Sequence, residues 1–143
     1  MTTSIFASTT FFQLTIAGNL LGNFHTCSGL GAQIEMEQFV EGGTNGFVWQ
    51  FPTRITWSNI TFTRPVTDDS AKVAAWLALM IHRVDRRDGE IVALQPDLTP
   101  ITSWQVLGVV PVSWQGPSFD PANSQPATET LEIAHQGLMP DLL

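Results

Sequence analysis

The chain has 143 residues and a mass of 15.7 kDa, the size of one domain that buries a core without disulfides or metals. Charged residues make up only 13%, which indicates a surface covered by copies of the chain itself. The net charge of −7 disfavours duplex nucleic acid as a direct ligand of a free surface. The single cysteine, Cys27, excludes an intramolecular disulfide and suggests a reducing compartment, and no apolar run approaches the ~20 residues of a membrane span.

The first part of the chain predicts two strands after an uncharged arm. Residues 1–10 are rich in serine and threonine, lack the features of a signal peptide, and form an arm that we expect to be ordered only where something packs on it. The alternation from Phe11 to Ala17 predicts a strand, Gly18 to Gly22 a turn, and Phe24 to Cys27 a short second strand.

A long hairpin is predicted over residues 29–54. Its first strand alternates between an apolar face, Ile34, Met36 and Val40, and a polar face, Gln33, Glu35, Glu37 and Glu41. No lysine lies nearby in sequence, so the carboxylates form a line of like charge. Such a line favours a position in which this face of the hairpin borders a wide water-filled space. A surface hairpin of a β-sandwich is the alternative interpretation.

The tip of this hairpin is rich in residues that tolerate positive φ, which are Gly42, Gly43, Thr44, Asn45 and Gly46. Aromatic residues then repeat with period two at Phe47, Trp49 and Phe51. Pro52 has no N–H to donate, and we expect it to end the ladder.

One helix is predicted from about Asp68 to Val84, with Thr67 as its cap. Charges that complement the helix dipole are Asp68 and Asp69 at the start and Arg83, Arg86 and Arg87 near the end. A stripe at helical spacing predicts core packing: Val73, Trp76, Leu77, Met80 and Val84. The other faces are also apolar, including Ala75 and Leu79, so we expect this helix to touch a neighbouring chain.

The remaining segments predict strands. These are Ile55 to Arg64 with a kink at Ser58 and Asn59, Glu90 to Gln95, Thr102 to Trp114 with interruptions at Gly108 and Pro111, and Thr128 to His135. The predicted fold class is therefore mainly β, a sandwich or barrel-like domain with one α-helix, formed as a single domain over residues 1–143.

No set of residues predicts catalysis, a metal site or a cofactor. His25 and Cys27 share a strand face but have no further ligand nearby. His82 suits a helix end, and His135 suits pairing with Glu132 or with a backbone carbonyl, better than chemistry. The glycines near Gly42 are not followed by a lysine and a helix, and the paired Glu35 and Glu37 lie on a hairpin rather than in a pocket. The enzyme class is therefore disfavoured.

Four short motifs occur in order along the chain: the tip GG.NG, then TR.VT before a tryptophan-bearing helix, then W…P..W.GP, and finally E.L.IAH.GL. Together, from about Phe11 to Leu138, they resemble the inner tube protein of contractile phage tails, in the short form of phage-tail-like extracellular contractile injection particles.

The resemblance implies a mechanical role. Six copies close into a ring with a continuous inner β-barrel, rings stack into a hollow tube, and a contractile sheath drives the tube through a target envelope. The implied partners are other copies, the sheath protein, baseplate or tube-initiator proteins, and a cargo effector or DNA in the lumen, without direct membrane insertion. Synthesis in the bacterial cytoplasm and assembly into a phage tail or a released particle are implied as well.

The resemblance also assigns roles to residues. Glu35, Glu37, Thr130 and Glu132 face the lumen, where an acidic wall would repel acidic cargo. The tip, Gly42, Gly43, Thr44, Asn45 and Gly46, contacts an adjacent ring or subunit. The outer helix residues Ala75, Leu79, Arg83, Arg86 and Arg87 face the sheath or a neighbouring subunit.

Two alternatives stay open. One is the secreted hexameric ring of type VI secretion, which carries effectors. The other is a monomeric ligand-binding β-sandwich with an apolar pocket. Within the tube family, the sequence does not distinguish a bulk tube subunit from a baseplate-proximal initiator.

Overall fold

A computed structural model describes residues 11–39, 46, 48–118, 121–122 and 127–140. These residues contain ten strands and one helix. In chain order they are β1 (Phe11–Ile16), β2 (Asn19–Phe24), β3 (Thr26–Ser28), β4 (Ala32–Phe39), β5 (Trp49–Trp57), β6 (Ile60–Pro65), α1 (Ser70–His82), β7 (Arg87–Leu94), β8 (Pro100–Gln115), β9 (Thr128–Ala134) and β10 (Gly137–Pro140). The mainly β class with one helix is thus confirmed.

Eight strands form one antiparallel sheet in the order β2–β1–β7–β8–β9–β6–β3, with β10 also paired to β8. The two strands at the ends of this order, β2 and β3, are joined by His25 alone. The sheet must therefore fold back on itself to bring its ends together, although β2 and β3 are not paired and the sheet stays open.

The core lies inside this folded sheet. Alternate residues of the strands point inward, and the fully buried ones include Leu14, Phe62, Ile91, Leu131 and Ile133. Helix α1 adds Val73 and Trp76 to the same cluster. The helix therefore lies on the core side of the sheet, and burial of these side chains supplies the main stabilisation.

The turn predicted from Gly18 to Gly22 is too long. The chain reverses at Ala17 and Gly18 alone, both with positive φ (52° and 81°), and β2 begins at the next residue. Gly22 instead lies within β2 with φ +115°, where an added Cβ would meet the guanidinium of Arg64.

The predicted helix boundaries need correction. Thr67 does not cap α1, because its Oγ1 accepts from the N–H of Asp69 at 3.2 Å in a turn that precedes the helix. The N-cap is Asp69, without a side-chain cap, and the first turn holds no acidic residue.

At the other end, α1 ends at His82, two residues before the predicted end at about Val84, because Arg83 is extended (φ −159°). Beyond the helix, the Arg86 guanidinium donates from Nη1 to the carbonyl of Gly108 at 3.0 Å, and Arg87 pairs with Val109 at the start of β7, so the chain joins the sheet within five residues of α1.

Strand β10 was missed by the sequence analysis. It has too few residues for an alternating pattern, and it forms because β8 offers it a free edge through Gly137↔Leu107 and the pairs that follow. The long strand β8 was predicted well, with a positive φ at Gly108 and a register shift after Pro111 where interruptions were expected.

Candidate assembly surfaces

The hairpin of β4 and β5 is a separate two-stranded sheet whose side chains are exposed along almost its entire length. Its exposed large apolar side chains are Ile34 (49%), Met36 (51%), Phe39 (56%), Trp49 (47%), Phe51 (49%) and Ile55 (48%). A two-stranded hairpin is at best marginally stable alone in water, and its free edges can pair with other strands. This hairpin therefore needs a partner surface.

Pro52 does not end the second hairpin strand as expected. Met36 pairs with Pro52 and Glu35 with Arg54, so Thr53 is an extra residue at a bulge. Its hydroxyl donates to the carbonyl of Glu35 at 3.2 Å. A proline is tolerated here because each strand of a two-stranded sheet has an unpaired side, and the strand continues to Trp57.

The acidic face of the hairpin differs from the line of like charge that the sequence suggested. Directly paired residues share a face, so Arg54 lies on the side of Glu35, and Phe51 lies on the side of Glu37. Arg54 was missed because it lies nineteen positions further along the chain, on the opposite strand. The face that carries Glu35 and Glu37 is therefore mixed, with charges of both signs toward its base and aromatic side chains toward the tip.

The base of the hairpin is fixed to the body by His135. The ring Nε2 lies 3.0 Å from the carbonyl oxygen of Ser58, which can only accept, and Nδ1 accepts from the N–H of Gly137 at 3.2 Å. These partners select the neutral Nε2–H tautomer. The ring also lies 5.8 Å from that of Trp57, the last residue of β5. Of the two partners predicted for His135, Glu132 and a backbone carbonyl, the structure shows the carbonyl.

A polar face lies on the outer side of β9, away from the core. Thr130 and Glu132 are half-buried there, while Leu131 and Ile133 point into the core as the alternation predicted. Their paired neighbours on this face are also polar: Thr61, Thr63, Ser113 and Gln115. Glu35 and Glu37, by contrast, lie on the hairpin sheet, so the four predicted lumen residues occupy two different sheets.

An apolar groove of about 900 Å³ opens between α1 and the turn that joins β1 to β2. Ala75, Leu79, Arg83 and Arg87 line it, so the structure brings together four of the five residues predicted for the outer helix surface. Leu79 is 70% exposed, in agreement with the predicted second apolar face of the helix. Arg86 is not part of this lining.

Most of the predicted tip, Gly42 to Asn45, lies outside the described residues. Gly46 is described, and its φ of +127° agrees with the expectation that the tip needs residues that tolerate positive φ. An added Cβ at Gly46 would meet no atom within 4 Å.

Cys27 is half-buried against the core, and desolvation raises the pKa of its thiol from 9.0 to about 12. The thiol therefore stays protonated at neutral pH and is a poor ligand or nucleophile. The ring of His25 instead contacts that of Phe11, with 5.4 Å between centroids. Among the described residues no cluster of His, Cys, Asp and Glu could hold a metal ion, and no described helix is long and apolar enough to cross a membrane.

A buried ion pair joins two of the sequence motifs. Arg64 of TR.VT donates from Nε to Glu129 of E.L.IAH.GL at 2.7 Å, and both side chains are only 1% exposed. Arg64 also donates to the carbonyl of Leu21 at 2.9 Å and lies 4.2 Å from the ring centroid of Phe24. The motifs alone do not reveal this pairing, because Arg64 and Glu129 lie 65 residues apart in sequence.

The family model described as "T4-like virus tail tube protein gp19" matches residues 8–139. The chain belongs to this tail tube protein family. The resemblance inferred from the four motifs is therefore confirmed, and the arginine and glutamate of the buried pair lie within the matched region of this tube protein. Comparison with curated protein sequences gives no significant match.

Solved structures show the same fold. The tube protein is 19% identical to a chain of the extracellular contractile injection system PVC sheath-tube complex in the extended state, with a TM-score of 0.77, covering 94% of this chain and 90% of that one. It is 22% identical to a chain of the anti-feeding prophage baseplate, with a TM-score of 0.73 and coverage of 98% and 97%. Hcp1 from Flavobacterium johnsoniae is more distant, at 19% identity and a TM-score of 0.52, with coverage of 92% and 99%.

Proposed function

We propose that this tube protein forms hexameric rings that stack into the hollow inner tube of a contractile injection particle. The observation that carries the proposal is the β4–β5 hairpin, which is exposed on both faces and unpaired at both edges among the described residues. Pairing with hairpins of neighbouring copies would close the edges into a continuous barrel and cover the apolar side chains. Closure of the ring limits the number of copies that join through these edges, and stacking of rings lengthens the tube along its axis.

The polar outer face of β9 supports a lumen role for Thr130 and Glu132. A water-filled channel requires polar side chains on its wall, and this face is polar across three adjacent strands. Glu35 and Glu37 would extend the wall on the hairpin. The three carboxylates of Glu35, Glu37 and Glu132, against the one guanidinium of Arg54, would leave this wall acidic, so it would repel acidic effectors or DNA during passage.

The tip from Gly42 to Gly46 would contact an adjacent ring or subunit, and α1 would face the sheath or a neighbouring subunit. Residues 1–10, which lie outside the described residues, would serve as a packing arm of the single domain. The particle would be made in the bacterial cytoplasm and act outside the cell, with baseplate proteins initiating the tube. This role is structural and involves no catalysis.

Electron microscopy of the purified protein across a concentration series tests the proposal. We expect rings of six copies and hollow tubes of uniform width. Rings that never stack would favour the effector-carrying ring of type VI secretion. A monomer at every concentration, also in the presence of baseplate proteins, would contradict the tube assignment.

A double variant and a control variant test whether the assembly of rings and tubes depends on the hairpin. Ile34 and Ile55 are directly paired, so the double change Ile34→Asn, Ile55→Asn makes one apolar patch polar without touching the core. We expect this variant to stay folded and to lose rings and tubes. The control Thr102→Asn alters an exposed residue of β8 and should assemble as the unchanged protein does.

A further inference from the structure

The imidazole of His135 lies where the hairpin, β9 and β10 meet. Its two nitrogens reach the carbonyl of Ser58, between β5 and β6, and the N–H of Gly137, the first residue of β10. The indole of Trp57, at the end of β5, covers the same point, because an added Cβ on Gly137 would lie 3.6 Å from its Nε1. One side chain therefore connects the base of the hairpin to the start of β10.

This pair of hydrogen bonds, which we call the His135 clamp, requires a neutral ring. The carbonyl of Ser58 only accepts, so Nε2 must carry the proton, and the N–H of Gly137 only donates, so Nδ1 must accept. A charged imidazolium carries a proton on both nitrogens, and its Nδ1–H would face the Gly137 N–H. Protonation therefore keeps the bond to Ser58 and removes the bond to Gly137.

The charged groups around the clamp leave this change uncompensated. Strands β8 and β10 carry no charged residue. The charged residues on the other elements that meet here are Glu35 and Arg54 on the hairpin, Arg64 and Glu129 in the buried pair, Glu132 on the outer face of β9, and Arg86 and Asp88, which are bonded to Gly108. Among the described residues none forms an ion pair with His135, and its half-buried ring is open to solvent protons.

We propose that the His135 clamp is a pH-sensitive switch of tube assembly. The neutral ring holds the hairpin in the orientation that ring closure needs, and acidification releases the hairpin from β10. The described contacts that orient the hairpin lie at its base, so the loss of one of them increases its freedom, and this freedom must be given up again on assembly. Tubes therefore assemble at neutral pH and dissociate in acid. The inference rests on the tube function proposed above.

Sedimentation and electron microscopy of the full-length protein at about pH 7.5 and about pH 5.5 test the switch, because histidine changes charge between about pH 5 and 8. We expect the concentration needed for tubes to rise at least about tenfold at the lower pH, a difference of about 1.4 kcal/mol per subunit. Neutralisation should restore the tubes. An unchanged threshold concentration would overturn the inference.

Two substitutions separate the two bonds of the clamp. In His135→Asn the side-chain oxygen can replace Nδ1 and accept from Gly137, whereas in His135→Gln the amide nitrogen can replace Nε2 and donate to Ser58. Neither side chain titrates, so the assembly of both variants should be independent of pH over this range. His135→Gln should resemble the acidified protein, and His135→Asn should assemble at a lower concentration than His135→Gln.

The controls His25→Gln and His82→Gln remove the other two imidazoles of the chain and should keep the pH dependence. A dependence that survives in both His135 variants, or that disappears in one of the controls, would assign the effect to another group and overturn the inference.

A second measurement does not depend on tubes. In the variant Ile34→Asn, Ile55→Asn, which we expect to stay folded without assembling, the Gly137 amide should lose at least about tenfold of its protection from hydrogen exchange on acidification. The amide of Leu14, in the core, should keep its protection. Constant protection at Gly137, or a loss that includes Leu14, would contradict the switch. A failure of the tube function looks different, because the unchanged protein would then form no tubes at either pH, while the Gly137 amide would still show whether the clamp opens.

Discussion

At the scale of single residues, the buried pair of Arg64 and Glu129 fixes how the two ends of the sheet meet. The pair lies between β6 and β9, and the second guanidinium bond reaches the carbonyl of Leu21 in β2. Gly22 is required beside it, because an added Cβ would lie 2.8 Å from a carboxylate oxygen of Asp69 as well as against Arg64. One arginine thus connects three strands that are far apart in sequence.

Replacing Arg64 by methionine should destabilise the monomer by about 3–5 kcal/mol, because the carboxylate of Glu129 stays buried without a partner. The double change Arg64→Met, Glu129→Leu should recover most of this loss, since it removes both charges. Urea unfolding of both single variants, Arg64→Met and Glu129→Leu, and of the double variant measures the coupling. A loss in the double variant equal to the sum of the two single losses would show that the pair is not coupled.

The raised pKa of Cys27 predicts a loss of stability at alkaline pH. The thiol ionises near 9.0 in the unfolded chain but keeps its proton up to about 12 in the folded one. Above pH 9 the unfolded state binds fewer protons, so the free energy of unfolding falls as pH rises from 9 toward 12. Below pH 9 both states are protonated and the effect is absent.

Urea unfolding between pH 8 and 10.5 checks this dependence, and the chain has no tyrosine to obscure it. Cys27→Ala should show a shallower decline with pH than the unchanged protein. An identical decline in both would assign the dependence to other groups.

At the scale of elements, the hairpin is held at its base and exposed beyond it. The base includes the hydrogen bond from Ser58 N–H to the carbonyl of Gly31 at 3.2 Å and the two bonds of His135. Toward the tip the hairpin strands contact mainly each other, with Trp49 stacked on Phe51 at 6.4 Å. Within the described part of the hairpin, its orientation is therefore set at the base, which suits an element that completes its contacts in an assembly.

Gly46 and Gly31 provide a matched test of the tip. Both have open space around an added Cβ, but only Gly46 has positive φ. Gly46→Val should therefore strain the tip by about 1–3 kcal/mol and reduce stacking, whereas Gly31→Val should have little effect. Tube length by electron microscopy and monomer stability by urea separate the two effects. Normal tubes from Gly46→Val would exclude a role of the tip conformation in stacking.

At the scale of the whole molecule, the monomer leaves two surfaces uncovered, the hairpin and the groove beside α1. Assembly stabilises the native state by mass action, because only folded chains bind one another. The thermal midpoint should therefore rise by several degrees for each tenfold increase in concentration above the assembly threshold, about 1.4 kcal/mol per step.

Scanning calorimetry at several concentrations measures this shift. The variant Ile34→Asn, Ile55→Asn is the control and should unfold at one temperature throughout. A midpoint independent of concentration in the unchanged protein would indicate that the hairpin is stable without partners.

The sequence by itself determined the strands with clear alternation, the presence of one helix, and membership of the tail tube family. Side-chain periodicity and short motifs are local, so Phe11 to Ile16, Thr128 to Ala134 and the motif that contains Arg64 could all be identified without coordinates. Local patterns also indicated the exposed apolar helix face at Leu79.

Only the tertiary structure decided which distant residues meet. Pairing placed Arg54 opposite Glu35, joined Arg64 to Glu129 and gave β10 its partner strand, because each contact depends on register between segments far apart in sequence. It also brought the Arg86 guanidinium to the carbonyl of Gly108 and paired Arg87 with Val109, two contacts that no local pattern after the helix indicates. The groove exists for the same reason: α1 and the β1–β2 turn, separated by fifty residues, become neighbours only in the folded chain.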